Sequence, residues 1–258
     1  MLTRALVPIL LAVLLLGGCK TKKAGTAPAK PPAEPRVEAE TPPVVAPGEK
    51  AGPLAPGAIK PHGSQYAHSG LPPAEIAKVA LMHEARGEFE QALEVLDTGL
   101  EHHPKSAVLY AVRGALYLQL GKNQAAIKDL TKSLEIKEDP DVYTNRALAE
   151  KAFGDREAAL KDLNRALKLN PHHLAALFNR GTLYLEMGNY QDAIQDFTKA
   201  IELDPKAPGP YFNRAVAYHQ LGDDDEAIAD LKTFIQLAPK ESWKNEANKL
   251  IEEWQHAR

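Results

Sequence analysis

Five glycines recur along this 258-residue chain, at Gly87, Gly121, Gly154, Gly188 and Gly222, separated by 34, 33, 34 and 34 residues. Each lies in the same local phrase. The first reads Arg-Gly-Glu-Phe-Glu-Gln-Ala, followed by Leu-Gly-Lys-Asn-Gln-Ala-Ala, Phe-Gly-Asp-Arg-Glu-Ala-Ala, Met-Gly-Asn-Tyr-Gln-Asp-Ala and Leu-Gly-Asp-Asp-Asp-Glu-Ala. A fixed period near 34 residues is that of a helix–turn–helix array, whose repeats bury their apolar faces only by stacking on neighbours. Such arrays present surfaces, so the period constrains the kind of function as well as the fold.

With each glycine at position 15, the repeats run 73–106, 107–139, 140–173, 174–207 and 208–239. Position 8 is then Ala80, Gly114, Ala147, Gly181 and Ala215, and position 20 is Ala92, Ala126, Ala159, Ala193 and Ala227. Small residues at both places let the two helices of a pair approach closely. Leu96, Leu130, Leu163, Phe197 and Leu231 at position 24 supply the large side chain behind them. Pro104, Pro171, Pro205 and Pro239 close second helices, which proline cannot continue. This pattern resembles the tetratricopeptide repeat family. The resemblance implies an all-α, right-handed superhelical solenoid of five antiparallel helix pairs. In residues 240–258, Trp243, Ala247, Leu250, Ile251 and Trp254 form one apolar stripe, as a capping helix requires.

The N-terminus reads differently. Ala5 to Leu16 is an uncharged apolar run, and Leu16-Gly17-Gly18-Cys19 follows. About a dozen apolar residues match a signal-peptide core and fall short of the roughly 20 that span a bilayer. The ending resembles a bacterial lipobox, which implies cleavage of residues 1–18 and lipidation of Cys19, the sole cysteine. The alternative is an ordinary cleaved signal with a stray cysteine. Lys20 stands where inner-membrane lipoproteins of enteric bacteria typically carry Asp, which by that resemblance favours an outer-membrane anchor facing the periplasm. Residues 19–72 are crowded with proline and poor in large apolar side chains. They read as a disordered, semi-stiff tether that cannot bury enough surface to offset its ordering entropy.

One pair of columns exceeds the family pattern. Arg113, Arg146, Arg180 and Arg214 occupy position 7, and Asp129, Asp162, Asp196 and Asp230 occupy position 23. The first repeat has Val79 and Val95 instead, so the charges appear and vanish together. They read as structural bridges between the two helices of a repeat.

The resemblance further implies that first helices line a concave face. On it fall Asn145, Asn179 and Asn213 at position 6, with Phe178 and Phe212 beside them as apolar pockets. Leu148, Leu185, Val216, His219 and Gln220 complete the groove. An asparagine row can hydrogen-bond the backbone of an extended peptide, and similar rows serve that purpose in some peptide-binding members. Asparagine is also common there without a ligand, so both readings stand. The family's carboxylate clamp is not reproduced: the corresponding residues are Thr144, Leu148, Asn179, Gly209 and Asn213, and only one of the five matches.

No phosphate-cradling loop, metal-spaced Cys/His cluster or nucleophile with its base stands out, so neither catalysis, cofactor nor metal is expected. The pairs His102-His103 and His172-His173 end second helices and cannot converge on one ion. A net charge of −3 without a basic stripe argues against nucleic acid. The expected function is that of a lipid-anchored scaffold of the bacterial envelope, binding a segment of another envelope protein in its groove. Pore or pilus assembly and recruitment of peptidoglycan enzymes are both compatible. The alternative is a self-associating structural protein indifferent to its groove.

Overall fold

The computed structural model describes residues 70–256. Cys19, the apolar run before it and the proline-rich stretch through residue 69 lie outside the described residues. The described chain is helical, without strands, and divides into two compact units at Pro205.

The unit ending at Pro205 holds four helix pairs. They are α1 (Pro73–Ala85) with α2 (Phe89–His102), α3 (Ala107–Gln119) with α4 (Asn123–Ile136), α5 (Pro140–Phe153) with α6 (Arg156–Leu169), and α7 (Leu174–Glu186) with α8 (Tyr190–Leu203). Each second helix packs on its own first helix, and α1, α3, α5 and α7 contact one another in sequence. The unit from Lys206 holds α9 (Pro208–Leu221), α10 (Asp224–Leu237) and α11 (Glu241–His256).

The glycine column explains the turns. All five have φ between 69° and 103°, a left-handed conformation in which any Cβ is strained. Around Gly154, the Asp155 amide donates to Glu150 O and the Gly154 amide donates to Lys151 O. That is a Schellman closure, which satisfies two carbonyls at the end of α5. The same two bonds recur around the other four glycines. Helix starts are fixed by local chemistry too: Pro73, Pro140 and Pro208 sit in first turns. Ser106, Asp139, Asp155 and His173 accept hydrogen bonds from first-turn amides.

Inside each pair, small residues meet large ones. A Cβ on Gly114 would lie 2.7 Å from Leu130 Cγ, and one on Gly181 would lie 2.8 Å from the Phe197 ring. The glycines are there because the position-24 side chain presses on the first helix. Val79 and Val95 are both buried in the core cluster of the first repeat. In the other compact unit, α11 lays Ala247 and Trp254 into the core of the fifth pair, with Trp243, Leu250 and Ile251 packed around them. Its apolar stripe thereby covers α10.

Candidate functional site

The charged seam inside each repeat is built from one recurring geometry. Arg113 donates Nε to Asp129 Oδ2 at 2.6 Å and Nη2 to Oδ1 at 3.0 Å. Arg146 does the same with Asp162, Arg180 with Asp196 and Arg214 with Asp230, at 2.6–2.8 Å. All four aspartates are buried. Bidentate pairing satisfies both carboxylate oxygens, which offsets much of the cost of taking the charges out of water.

A second set of partners was not anticipated from the sequence. Arg113 Nη1 donates to Asp97, Arg146 Nη1 to Thr131 Oγ1, and Arg180 Nη1 to Asn164 Oδ1. Each acceptor is position 25 of the preceding repeat, so one guanidinium ties its own helix pair to the neighbouring pair. Tyrosine rings flank these arginines. Tyr117, Tyr184 and Tyr218 at position 11 lie 5.8–6.0 Å from the guanidinium carbon of their repeat. In the third repeat that position is Glu150. Burial, and then the Asp162 charge, push its carboxyl up to about 7.

The face formed by first helices differs from the groove expected. Phe178 and Phe212 are core residues, packed against Phe197 and Phe234 with ring centroids 5.9 and 5.1 Å apart. Position 5 turns toward the second helix of its own repeat, so these rings fill layers rather than line pockets. Asn145 and Asn213 are buried as well, at 1% and 0% exposure. Only Asn179 of the row is half-exposed, and its Nδ2 donates to Ala175 O one turn earlier on the same helix. The open asparagine ladder is therefore absent from the described residues. Leu185 is buried. His219 stacks on Trp254 of α11, 4.2 Å between centroids and 8° from parallel, with Nδ1 2.6 Å from Asp224. The capping helix thus covers it. Val216 is half-buried beside the core of the last unit, and Gln220 is exposed.

In the 70–205 unit, the first-helix face is lined by half-buried Leu81, Leu118, Leu148 and Asn179, with Lys151 donating to Glu186 at 2.6 Å. His103 and His173 are absorbed by structure. His103 Nε2 lies 3.0 Å from Leu71 O. His173 Nδ1 accepts from the Ala176 amide, which leaves its Nε2–H to donate to Asp141 at 2.8 Å. Among the described residues no group of three or more His, Cys, Asp and Glu is gathered as a metal would need. No helix there is long and apolar enough to cross a membrane.

Helix pairs closed by left-handed glycines and locked by internal ion pairs define a helical repeat protein. Two sequence models of the tetratricopeptide repeat match the chain, one over residues 77–139 and the other over 144–208 and 180–242. Together they cover more than half of it, and the chain belongs to the tetratricopeptide repeat family. Human tetratricopeptide repeat protein 6 is 30% identical over 101 residues, 39% of this chain and 19% of that protein. The TPR repeat-containing thioredoxin TDX of Arabidopsis thaliana is 36% identical over 69 residues, 26% of this chain and 18% of that protein. The chain thus spans less than a fifth of these curated relatives. Among solved structures, a tetratricopeptide repeat protein from Parabacteroides merdae superposes with TM-score 0.61 at 26% identity, covering 71% of this chain and 73% of that one. YrrB, described as a TPR protein with an unusual peptide-binding site, gives 0.59 at 22% identity, covering 72% and 100%. MamA gives 0.58 at 23% identity, covering 66% and 93%.

Proposed function

We propose that this protein is a non-enzymatic scaffold, anchored to a bacterial envelope membrane through lipidated Cys19, that holds an extended segment of another envelope protein. The holding surface is the first-helix face of residues 70–205. One observation carries the reading: Leu81, Leu118 and Leu148 stay partly open on consecutive first helices, while most neighbouring apolar side chains are buried in the repeat layers. A row of half-open leucines, with Asn179 beside it, suits a chain of alternating apolar and polar character. YrrB, a TPR protein of similar fold with an unusual peptide-binding site, supports the same use of the fold here. The test is a crosslinking pull-down from intact envelopes, comparing the native protein with Leu118→Arg/Leu148→Arg. Partners lost only in the variant, with its melting temperature unchanged, support the reading. An identical partner set refutes it.

Self-association draws on different side chains. Phe153 is 62% exposed and Met187 41% exposed, both at position 14 of adjacent repeats in the same unit. A second copy covering them would give a species heavier than the monomer in sedimentation. Phe153→Ser/Met187→Ser would return it to the monomer, and a native protein that sediments as a monomer throughout eliminates this reading.

A further inference from the structure

Positions 12 and 13 of adjacent repeats meet across the seam between successive first helices. Lys151 holds position 12 of the third repeat and Glu186 position 13 of the fourth. Their head groups touch at 2.6 Å, in side chains only 28% and 16% exposed. Between the first and second repeats the same two positions are Glu84 of α1 and Gln119 of α3, on helices that contact each other. Among the described residues no cation is bonded to either of them.

Glu84 is half-buried, and burial raises its carboxyl above the ordinary carboxylate range. Among the described residues no donor reaches its carboxylate. Lys78, on the same helix, is bonded to Glu75 at 2.7 Å. Gln119 Oε1 is buried and accepts no hydrogen bond. Two oxygen acceptors, the half-buried carboxyl of Glu84 and the buried Oε1 of Gln119, therefore stand at the repeat positions where the third and fourth repeats have a closed ion pair. A desolvated acceptor without a donor is costly and gains more from a cation than an exposed one would.

We infer that the seam between α1 and α3 binds a basic side chain, lysine or arginine, carried by the segment that lies on the first-helix face. This rests on the proposed binding face and names the chemistry of its occupant. The incoming ammonium or guanidinium donates to Glu84 and Gln119 Oε1, as Lys151 donates to Glu186. Leu81 and Leu118, half-buried close by in the sequence of the same two helices, offer apolar surface to the methylene stem. The occupant is thus an extended segment with one basic residue among apolar ones, docked with that residue toward the first two repeats.

The experiment is selection of a phage-displayed random 12-residue library on the detergent-solubilised full chain. Four targets are compared: native, Glu84→Gln, Glu84→Lys and Leu118→Arg/Leu148→Arg. The native protein is expected to enrich peptides with one lysine or arginine at a fixed place. Glu84→Gln should weaken a selected peptide about 10- to 100-fold, as loss of a charge-assisted hydrogen bond does. Replacing that peptide's basic residue by norleucine should cost the native protein at least that factor and cost Glu84→Gln markedly less. Glu84→Lys should enrich acidic residues instead. Glu84→Gln removes an unpaired charge, so its melting temperature should not fall below that of the native chain. Peptides that need the two leucines but show no basic enrichment overturn this inference and leave the face standing. Failure to select any peptide, or peptides that bind the leucine variant equally well, overturns both.

Discussion

The Glu150 carboxyl makes a quantitative prediction about pH. It occupies the place held by tyrosine in the second, fourth and fifth repeats, beside the Arg146–Asp162 pair. Arg146 spends Nε and Nη2 on Asp162 and Nη1 on Thr131, so Glu150 Oε1 is left 3.7 Å from Nε, beyond hydrogen-bond range. Its Oε2 is buried and accepts nothing, and the side chain is 13% exposed. Burial raises the carboxyl first, and Asp162 and Asp155 add to it, against Arg146 and Lys161; the result is about 7, from an ordinary 4.5. The sign follows from proton binding. Between pH 4.5 and 7 the folded state holds this proton and the unfolded state does not, so stability falls as pH rises through that window. Above pH 7 the loss is complete. At 1.36 kcal/mol per pKa unit it is about 3 kcal/mol at most, and about 2 kcal/mol once residual solvent contact is allowed for. Glu150→Gln removes the ionisation and should gain roughly that amount at pH 8 and nothing at pH 4. In a repeat domain of this size that corresponds to a rise of about 4–8 °C in melting temperature. Thermal unfolding of both proteins from pH 4 to pH 8.5 measures the difference, which cancels the titration of every other carboxylate. A difference independent of pH, or a glutamine variant less stable at pH 8, would refute the reasoning.

Two further outcomes follow from the same geometry, and a third from the proposed lipid anchor. Arg180→Met strands the buried Asp196 and releases the tie to Asn164, and should cost about 3–5 kcal/mol by urea unfolding; the double change Arg180→Met/Asp196→Leu should recover most of it. Gly181→Ala drives a Cβ to 2.8 Å from Phe197 and should cost about 1–3 kcal/mol by overpacking, whereas Ala147→Gly at the same position of the third repeat loses helix propensity and one buried methyl, about 1–2 kcal/mol, with no clash. Cys19→Ser should leave the chain unlabelled by radioactive palmitate and shift it from the membrane pellet to the soluble fraction; undiminished labelling would exclude lipidation at that cysteine.

What the sequence disclosed and what it concealed divide along physical lines. Helix pairs were legible because their determinants are single residues with no substitute: a glycine at positive φ, a small residue under a large one, a proline past a helix end. The Arg and Asp columns were legible because two letters co-vary across five repeats. Burial was harder to read. Asn145, Asn179 and Asn213 carry the same letter in the same column, yet two are buried and one half-open, since exposure depends on the neighbouring layers rather than on the residue itself. Phe178 and Phe212 adjoin the asparagines in sequence, but one step along a helix rotates a side chain by about 100°, and that rotation carries both rings into the core. The acceptors Asp97, Thr131 and Asn164 escaped because they share a capacity to accept a hydrogen bond and no common letter. The irregular positions prove the more informative. Where Val79 and Val95 replace a charged pair, the first repeat closes its seam with apolar contact alone. Where Glu150 interrupts the tyrosine column, and at Glu84 on α1, a carboxyl is drawn from water without full compensation. A repeat array tolerates such departures because each repeat rests only on its neighbours. Glu150 lies within the Arg146 seam, with one oxygen buried and unsatisfied, and there the departure is expected to cost stability. Glu84 lies on α1, where the cation of the proposed partner would supply the donor that the described residues do not.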